Sequence, residues 1–249
     1  MGSNADEAII PGRNGHLTMW ERVQFSPQRR SVSMACSSSC VALADHRVCC
    51  FGPVHTAEGG AISDVVLDGS SGVEDDRVQL CAGSEYHCAL LGGRVWCWGY
   101  NRSGQVRETP LFERATVARV RPMAGVVGAS GLYCGSFAAC ATTSARQLTC
   151  WGSFAHFLAP ESSQTFQFDS DIVDVAVSSS QACALLANRT VICHRRLPEA
   201  RATTRFSYRL GGLELVSVYV GDKWVCGLSS AGSLACLRDA VVLCMPTDI

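Results

Sequence analysis

The chain has 249 residues, 47% of them apolar and 17% charged, with a net charge of −1. That composition supports one globular core and excludes wholesale disorder, and the balanced charge leaves no basic footprint for nucleic acid or an anionic membrane surface. No run approaches the roughly 20 consecutive apolar residues of a membrane-spanning helix, while fifteen cysteines point to an oxidising compartment, where disulfides persist.

Residues 1–13 show no periodicity and are expected to form a disordered N-terminal extension ahead of a single repeat domain over 14–249. The start, MGSNADEAIIPGRNGH, lacks the charged head and apolar middle of a signal peptide, so the chain either stays inside the cell or begins after a removed signal. Residues 14–20, NGHLTMW, look like a worn copy of a strand that recurs later as GGRVWCW, with Met19 in the place of Cys97. The first cysteine pair follows, Cys40 and Cys50, centred on Asp45.

The fullest statement of the pattern is AGSEYHCALLGGRVWCWGYNRSGQV, beginning at Ala82. Leu90, Leu91, Val95, Trp96 and Trp98 are strand formers on either side of Gly92-Gly93, a pair suited to the positive φ angles of a two-residue hairpin turn. Folding about that turn sets Leu91 opposite Arg94, Leu90 opposite Val95, Ala89 opposite Trp96 and Cys88 opposite Cys97. The cysteines then fall at a non-hydrogen-bonded pair, where α-carbons approach to roughly 4.5 Å, within the span a disulfide tolerates.

Three more pairs follow, Cys140 with Cys150, Cys183 with Cys193 and Cys226 with Cys236, each ten residues apart and centred on Ala145, Asn188 and Ala231. An odd centre calls for a three-residue loop with a bulge, in which Asn188 and Gly232 suit the left-handed position. Cys36, Cys49, Cys81, Cys134 and Cys244 are left over, and no shared spacing suggests partners for them. Apolar alternation at Val117, Val120, Ile172, Val173, Val175, Leu213, Leu215 and Val218 supplies a further strand per repeat. Approximate repeats are 14–43, 45–91, 92–143, 145–186 and 188–228, with a partial one at 231–249, where Val241 to Cys244 resemble a strand leading into another hairpin.

The first cysteines recur at intervals of 48, 52, 43 and 43, inside the range of propeller-type repeats. The sequence around Cys88 and Cys97, with Trp98-Gly99, Asn101 and Gly104-Gln105-Val106, resembles the repeat of the regulator of chromosome condensation family, nearest to its cysteine-bearing extracellular and bacterial branches. The resemblance implies an all-β propeller-like array in which each repeat makes one four-stranded blade, here about five, each centred on a disulfide-stapled hairpin. The ring is either incomplete or closed by both termini.

Catalytic signatures are absent: no C-x-x-C or H-x-x-x-H pair for zinc or dithiol chemistry, no G-x-S-x-G and no phosphate-binding glycine loop. No cofactor or metal is expected, and the six histidines fall at unrelated repeat positions. Trp98 and Trp151, each before a glycine, are read as core, and His87 as structural. Asn101 and Asn188 head the acceptor pattern for N-glycosylation. The informative residues lie between a small residue (Gly83, Gly135, Ser178, Gly221) and the first cysteine, in loops that reach one rim of a propeller. There Glu85, Tyr86, Phe137, Asp222, Lys223 and Trp224 have the aromatic and charged composition of a protein-binding surface. The expected function is non-catalytic binding of another protein through these loops, as a secreted or cell-surface receptor, scaffold or inhibitor. The alternative is guanine-nucleotide exchange on a small GTPase, which needs a reduced, cytoplasmic protein.

Overall fold

A computed structural model describes residues 7–11, 20–24, 31–34, 39–42, 47–51, 62–67, 78–99, 101, 103–106, 122–153, 163–196, 203–210, 213–238 and 241–244. Their regular structure is entirely β. Two strands, β1 (Glu7–Pro11) and β2 (Trp20–Gln24), pair with each other, and twenty more build five four-stranded antiparallel sheets. Blade 1 is β3 (Ser31–Met34), β4 (Ser39–Ala42), β5 (Arg47–Phe51) and β6 (Ile62–Val66). Blade 2 is β7 (Gln79–Ala82), β8 (Tyr86–Leu91), β9 (Arg94–Gly99) and β10 (Pro122–Val127). Blade 3 is β11 (Gly131–Cys134), β12 (Ala138–Ser144), β13 (Gln147–Gly152) and β14 (Gln164–Gln167). Blade 4 is β15 (Ile172–Val177), β16 (Gln181–Leu186), β17 (Val191–Arg196) and β18 (Thr203–Tyr208), and blade 5 is β19 (Leu215–Val220), β20 (Trp224–Ser229), β21 (Leu234–Arg238) and β22 (Val241–Cys244).

In each blade the strands pair in chain order, so the cysteine hairpin forms the middle of the sheet. The expected register of the second hairpin is the observed one, from Leu91 opposite Arg94 to Cys88 opposite Cys97, with Gly92 and Gly93 at φ 56° and 73°. All five hairpins carry their disulfide, at Cα separations of 4.0–4.1 Å, a little closer than the expected 4.5 Å. In blades 4 and 5 the odd residue is taken up by a three-residue loop: Arg189 N–H donates to Leu186 O and Gly232 N–H to Ser229 O. The left-handed residue is Gly232, at φ 83°, and in blade 4 it is Arg189, at φ 66°, rather than Asn188, whose Oδ1 instead accepts from Thr190 N–H. Blade 3 differs. A bulge beside Thr143 absorbs the extra residue, and the turn itself, Ala145-Arg146, has two residues.

The first strands of successive blades pack against one another, β3 on β7, β7 on β11, β11 on β15 and β15 on β19, which places them innermost. Apolar side chains fill each of the four seams between blades, because every strand turns alternate residues to the blade before and the blade after. Blade 2 shows the alternation: Leu80, Ala89, Leu91, Trp96 and Trp98 face blade 1, and Tyr86, Cys88, Leu90, Val95 and Cys97 face blade 3. We call these the rear and front faces. Trp98 and Trp151 are core, as read, and the buried ring of His87 stacks on Trp98.

Some expectations are corrected. Residues 7–11, read as part of a disordered extension, form β1, because the Ala8-Ile9-Ile10 run pairs with Arg22, Val23 and Glu21 of β2. The repeat bounds expected at 92, 145, 188 and 231 fall in hairpin turns, whereas the sheets divide between hairpins, and the bound at 45 lies outside the described residues. Among the described residues the two ends share no sheet: β22 completes blade 5 and β1 pairs with β2. Cys81 and Cys134, left without partners by their spacing, are bonded to each other between blades 2 and 3. Asn101 is buried, its Oδ1 accepting from Val106 N–H at 2.9 Å, so it is no glycan acceptor in this fold. Cys36, Val117, Val120 and residues 14–19 lie outside the described residues.

Candidate functional site at the inner turns

In blades 2 to 5 the turn from the innermost strand into the hairpin is closed by the same bond. The N–H of the small residue donates to the carbonyl three residues on: Gly83 to Tyr86 at 2.9 Å, Gly135 to Ala138 at 2.7 Å, Ser178 to Gln181 at 2.8 Å and Gly221 to Trp224 at 3.0 Å. These turns stand side by side around an open depression of about 640 Å³. Ser84, Ser136, Ser179 and Asp222, the residues one past the small one, line it. They also tie blade to blade, since Ser84 N–H donates to Ser136 O at 3.1 Å and the Ser179 hydroxyl donates to the Asp222 carboxylate.

The six candidate residues separate by position in this turn. Glu85, Phe137 and Lys223 come second after the small residue and sit on the outer surface of the turn. Glu85 is half-buried, Lys223 exposed and Phe137 42% exposed. Asp222 is exposed at the lip of the depression, its carbonyl accepting from Arg195 Nη2 at 3.1 Å.

Tyr86 and Trp224 come third, and the third position points along the seam between blades. Tyr86 is therefore corrected: it is fully buried, and its hydroxyl donates to Gly135 O at 2.8 Å and Ala138 O at 2.6 Å of blade 3. It is a core residue and leaves the binding surface. Gln181 does the same two seams later, its Nε2 donating to Gly221 O and Trp224 O of blade 5. Trp224 holds the equivalent place in blade 5 and is 36% exposed, with the Arg238 guanidinium 5.1 Å from its ring.

No family model and no curated protein matches this sequence. Solved structures do. Human WBSCR16 superposes with a TM-score of 0.70 at 16% identity over 91% of this chain and 69% of that one. Prp20p of Saccharomyces cerevisiae, the yeast RCC1 protein, gives 0.61 at 16% identity over 82% of this chain and 56% of that one. The CRINKLY WD40 ectodomain of the Arabidopsis thaliana receptor kinase ACR4 gives 0.56 at 18% identity over 97% and 74%. The fold is a β-propeller blade array.

Sequence reasoning missed the residues that join the blades, and the signal was available for one pair. Cys81 and Cys134 stand seven and six residues before their hairpin cysteines. On a strand a one-residue offset turns side chains to opposite faces, and a bridge between neighbouring blades needs one front-facing and one rear-facing cysteine. The mismatch in spacing is thus what allows the bond.

Proposed function

We propose that this propeller array is a non-catalytic protein-binding module of an oxidising, extracellular setting, and that it takes its partner at the inner turns. The observation that carries the reading is Phe137, a large apolar side chain 42% exposed at the second turn position of blade 3, the position that holds the charged Glu85 in blade 2 and Lys223 in blade 5. An exposed aromatic with charged residues at the same position of other turns is the composition of an interface anchor with its steering groups. Six described disulfides support the compartment, since such bonds persist only where thiols are not kept reduced; the GTPase-exchange alternative needs the opposite condition. Structural neighbours support the class of activity: the yeast RCC1 protein has been solved bound to Kap60 and studied for binding to Gsp1p and histones, and ACR4 contributes a receptor ectodomain.

The test places a photo-crosslinking phenylalanine analogue at position 137 and identifies the captured protein in native extracellular fluid. That protein is then titrated against wild type, Phe137→Ala and Lys223→Glu. Loss of about 2 kcal/mol of affinity, roughly 30-fold, with an unchanged thermal midpoint in Phe137→Ala is the expected result. Equal affinity in both variants overturns the reading.

A further inference from the structure

The hairpin turns stand at the far end of each blade from the inner turns, because β12, β16 and β20 run from one to the other. In blade 4 the intervening strand has six residues, about 20 Å of extended chain. Its hairpin turn carries Asn188-Arg189-Thr190, one of two acceptor patterns for N-linked sugar in the chain. Burial of Asn101 disqualifies the other, since a sugar on that side-chain amide has no room in the fold.

Asn188 differs on each count. It is exposed, as are Ala187 and Arg189 on either side. Its Oδ1 accepts from Thr190 N–H at 3.1 Å, a local turn contact that uses only the oxygen of the amide, and Nδ2 has no partner among the described residues. The loop is held by other groups. Arg189 N–H donates to Leu186 O at 2.9 Å, Ala187 N–H donates to Asp171 O at 2.8 Å, and the Arg189 guanidinium pairs with Glu214 of blade 5. A substituent on Nδ2 disturbs none of these bonds. Thr190 is 8% exposed, so a transferase would read its hydroxyl before the hairpin closes, and the folded turn then has to tolerate the product.

A second observation lies beside the acceptor. The bulge in β15, between Ile172 opposite Leu186 and Asp174 opposite Leu185, leaves Val173 53% exposed although blades 3 and 5 flank its strand on both sides. It stands two residues from Asp171, whose carbonyl takes the Ala187 N–H, so a sugar chain on Asn188 lies within reach of it.

We propose that Asn188 is an N-glycosylation site, and that its glycan covers Val173 and dresses the hairpin end of the array while leaving the inner turns clear. The assignment rests on the secretory setting proposed above. In the step, Nδ2 bonds to the anomeric carbon of an oligosaccharide carried on a polyprenyl diphosphate. The bond from that carbon to the diphosphate oxygen breaks, the diphosphate leaves as an anion, and the amide proton passes to a base of the transferase. A bulky sugar at this end directs a large partner to the opposite one, where Phe137 lies.

The test secretes the full chain from a eukaryotic cell behind an appended signal peptide and maps its peptides before and after peptide N-glycosidase treatment in heavy-oxygen water. The expected result is conversion of Asn188 to a labelled aspartate, with Asn101 unlabelled. Asn188→Gln and Thr190→Ala should each abolish the mass shift, whereas Thr190→Ser, which restores a hydroxyl, should keep it; the mapping of wild type needs no variant to fold. Hydroxyl-radical labelling of Val173 should rise when the glycan is removed from folded protein, and unchanged labelling overturns the covering role. Unmodified Asn188 in chain secreted with its disulfides formed, or a glycan on Asn101, overturns the assignment. Phe137→Ala touches neither acceptor, so its affinity judges the partner reading independently.

Discussion

A fully buried tyrosine hydroxyl with two carbonyl acceptors is worth more to the fold than to a ligand. Burial pushes the phenol of Tyr86 far above its ordinary pKa, so it stays a donor at every pH the protein meets. Tyr86→Phe keeps the ring and leaves Gly135 O and Ala138 O short of that donor, which should cost about 1–3 kcal/mol. A calorimetric midpoint that falls while rim affinity holds is the expected outcome, and an unmoved midpoint would return Tyr86 to the surface. His194 offers a second test. It occupies the strand position of Trp98 and Trp151, its ring 3.8 Å from that of Phe166, and burial, with the Arg205 charge behind it, pulls its pKa from 6.5 down to about 4. The unfolded chain binds a proton there that the folded one refuses, so this contribution is complete above pH 6.5 and is lost as pH falls from there through about 4. The midpoint should drop across that window. His194→Phe, which keeps the stack, should flatten the drop, and an unchanged slope would assign it to other groups.

At the scale of the element, the hairpins were legible and the seams were not. A cysteine followed nine or ten positions on by a second specifies a turn, a register and a disulfide within one short stretch, and Gly92-Gly93 names its turn outright. Position 189 was misread because loop geometry, which fixes the left-handed residue one place past the centre, overrode the side-chain preference that favoured Asn188. The fate of the third turn residue could not be read locally at all. Tyr86, Gln181 and Trp224 have the same place in the same turn, and whether each is core or surface depends on the blade that follows. That is a long-range fact, carried by residues about fifty positions away. The candidates that stayed on the surface are Glu85, Phe137 and Lys223 at the second turn position, Asp222 at the first, and Trp224, whose third position no described blade covers.

Across the whole molecule, the seams are not equally fastened. Seam 2–3 has the Gln79 amide, the Tyr86 hydroxyl and the Cys81–Cys134 bond, and seam 4–5 has Asp174 and Gln181. Seam 3–4 has neither reaching side chain, because Gly131 and Ala138 fill those places; it is held by Ile172 N–H to Ala145 O, Ser153 Oγ to Ser179 O, Gln164 Nε2 to Thr203 Oγ1, the Phe166–His194 stack and the exposed Arg146–Asp171 pair, which is worth little in water. The Cys81–Cys134 bond closes a sequence separation of 53 residues, for which chain entropy gives about 4 kcal/mol, against somewhat under about 3 for a hairpin bridge. The Cys81→Ala, Cys134→Ala double variant should lower the denaturation midpoint by more than removal of any one hairpin pair, and a smaller effect would show that the unfolded chain is already held compact there.

The same bond alters what a protease can release. A cut in any of the five stapled turns frees nothing, since both arms of the hairpin remain covalently joined through their cysteines. Cuts in the connectors between blades sort the molecule differently. Among the described cysteines only Cys81 and Cys134 span a connector, so exhaustive nicking would leave blades 2 and 3 as one inseparable unit. The part of the array that persists after processing is therefore the pair bearing Glu85 and Phe137, joined by the most heavily fastened seam.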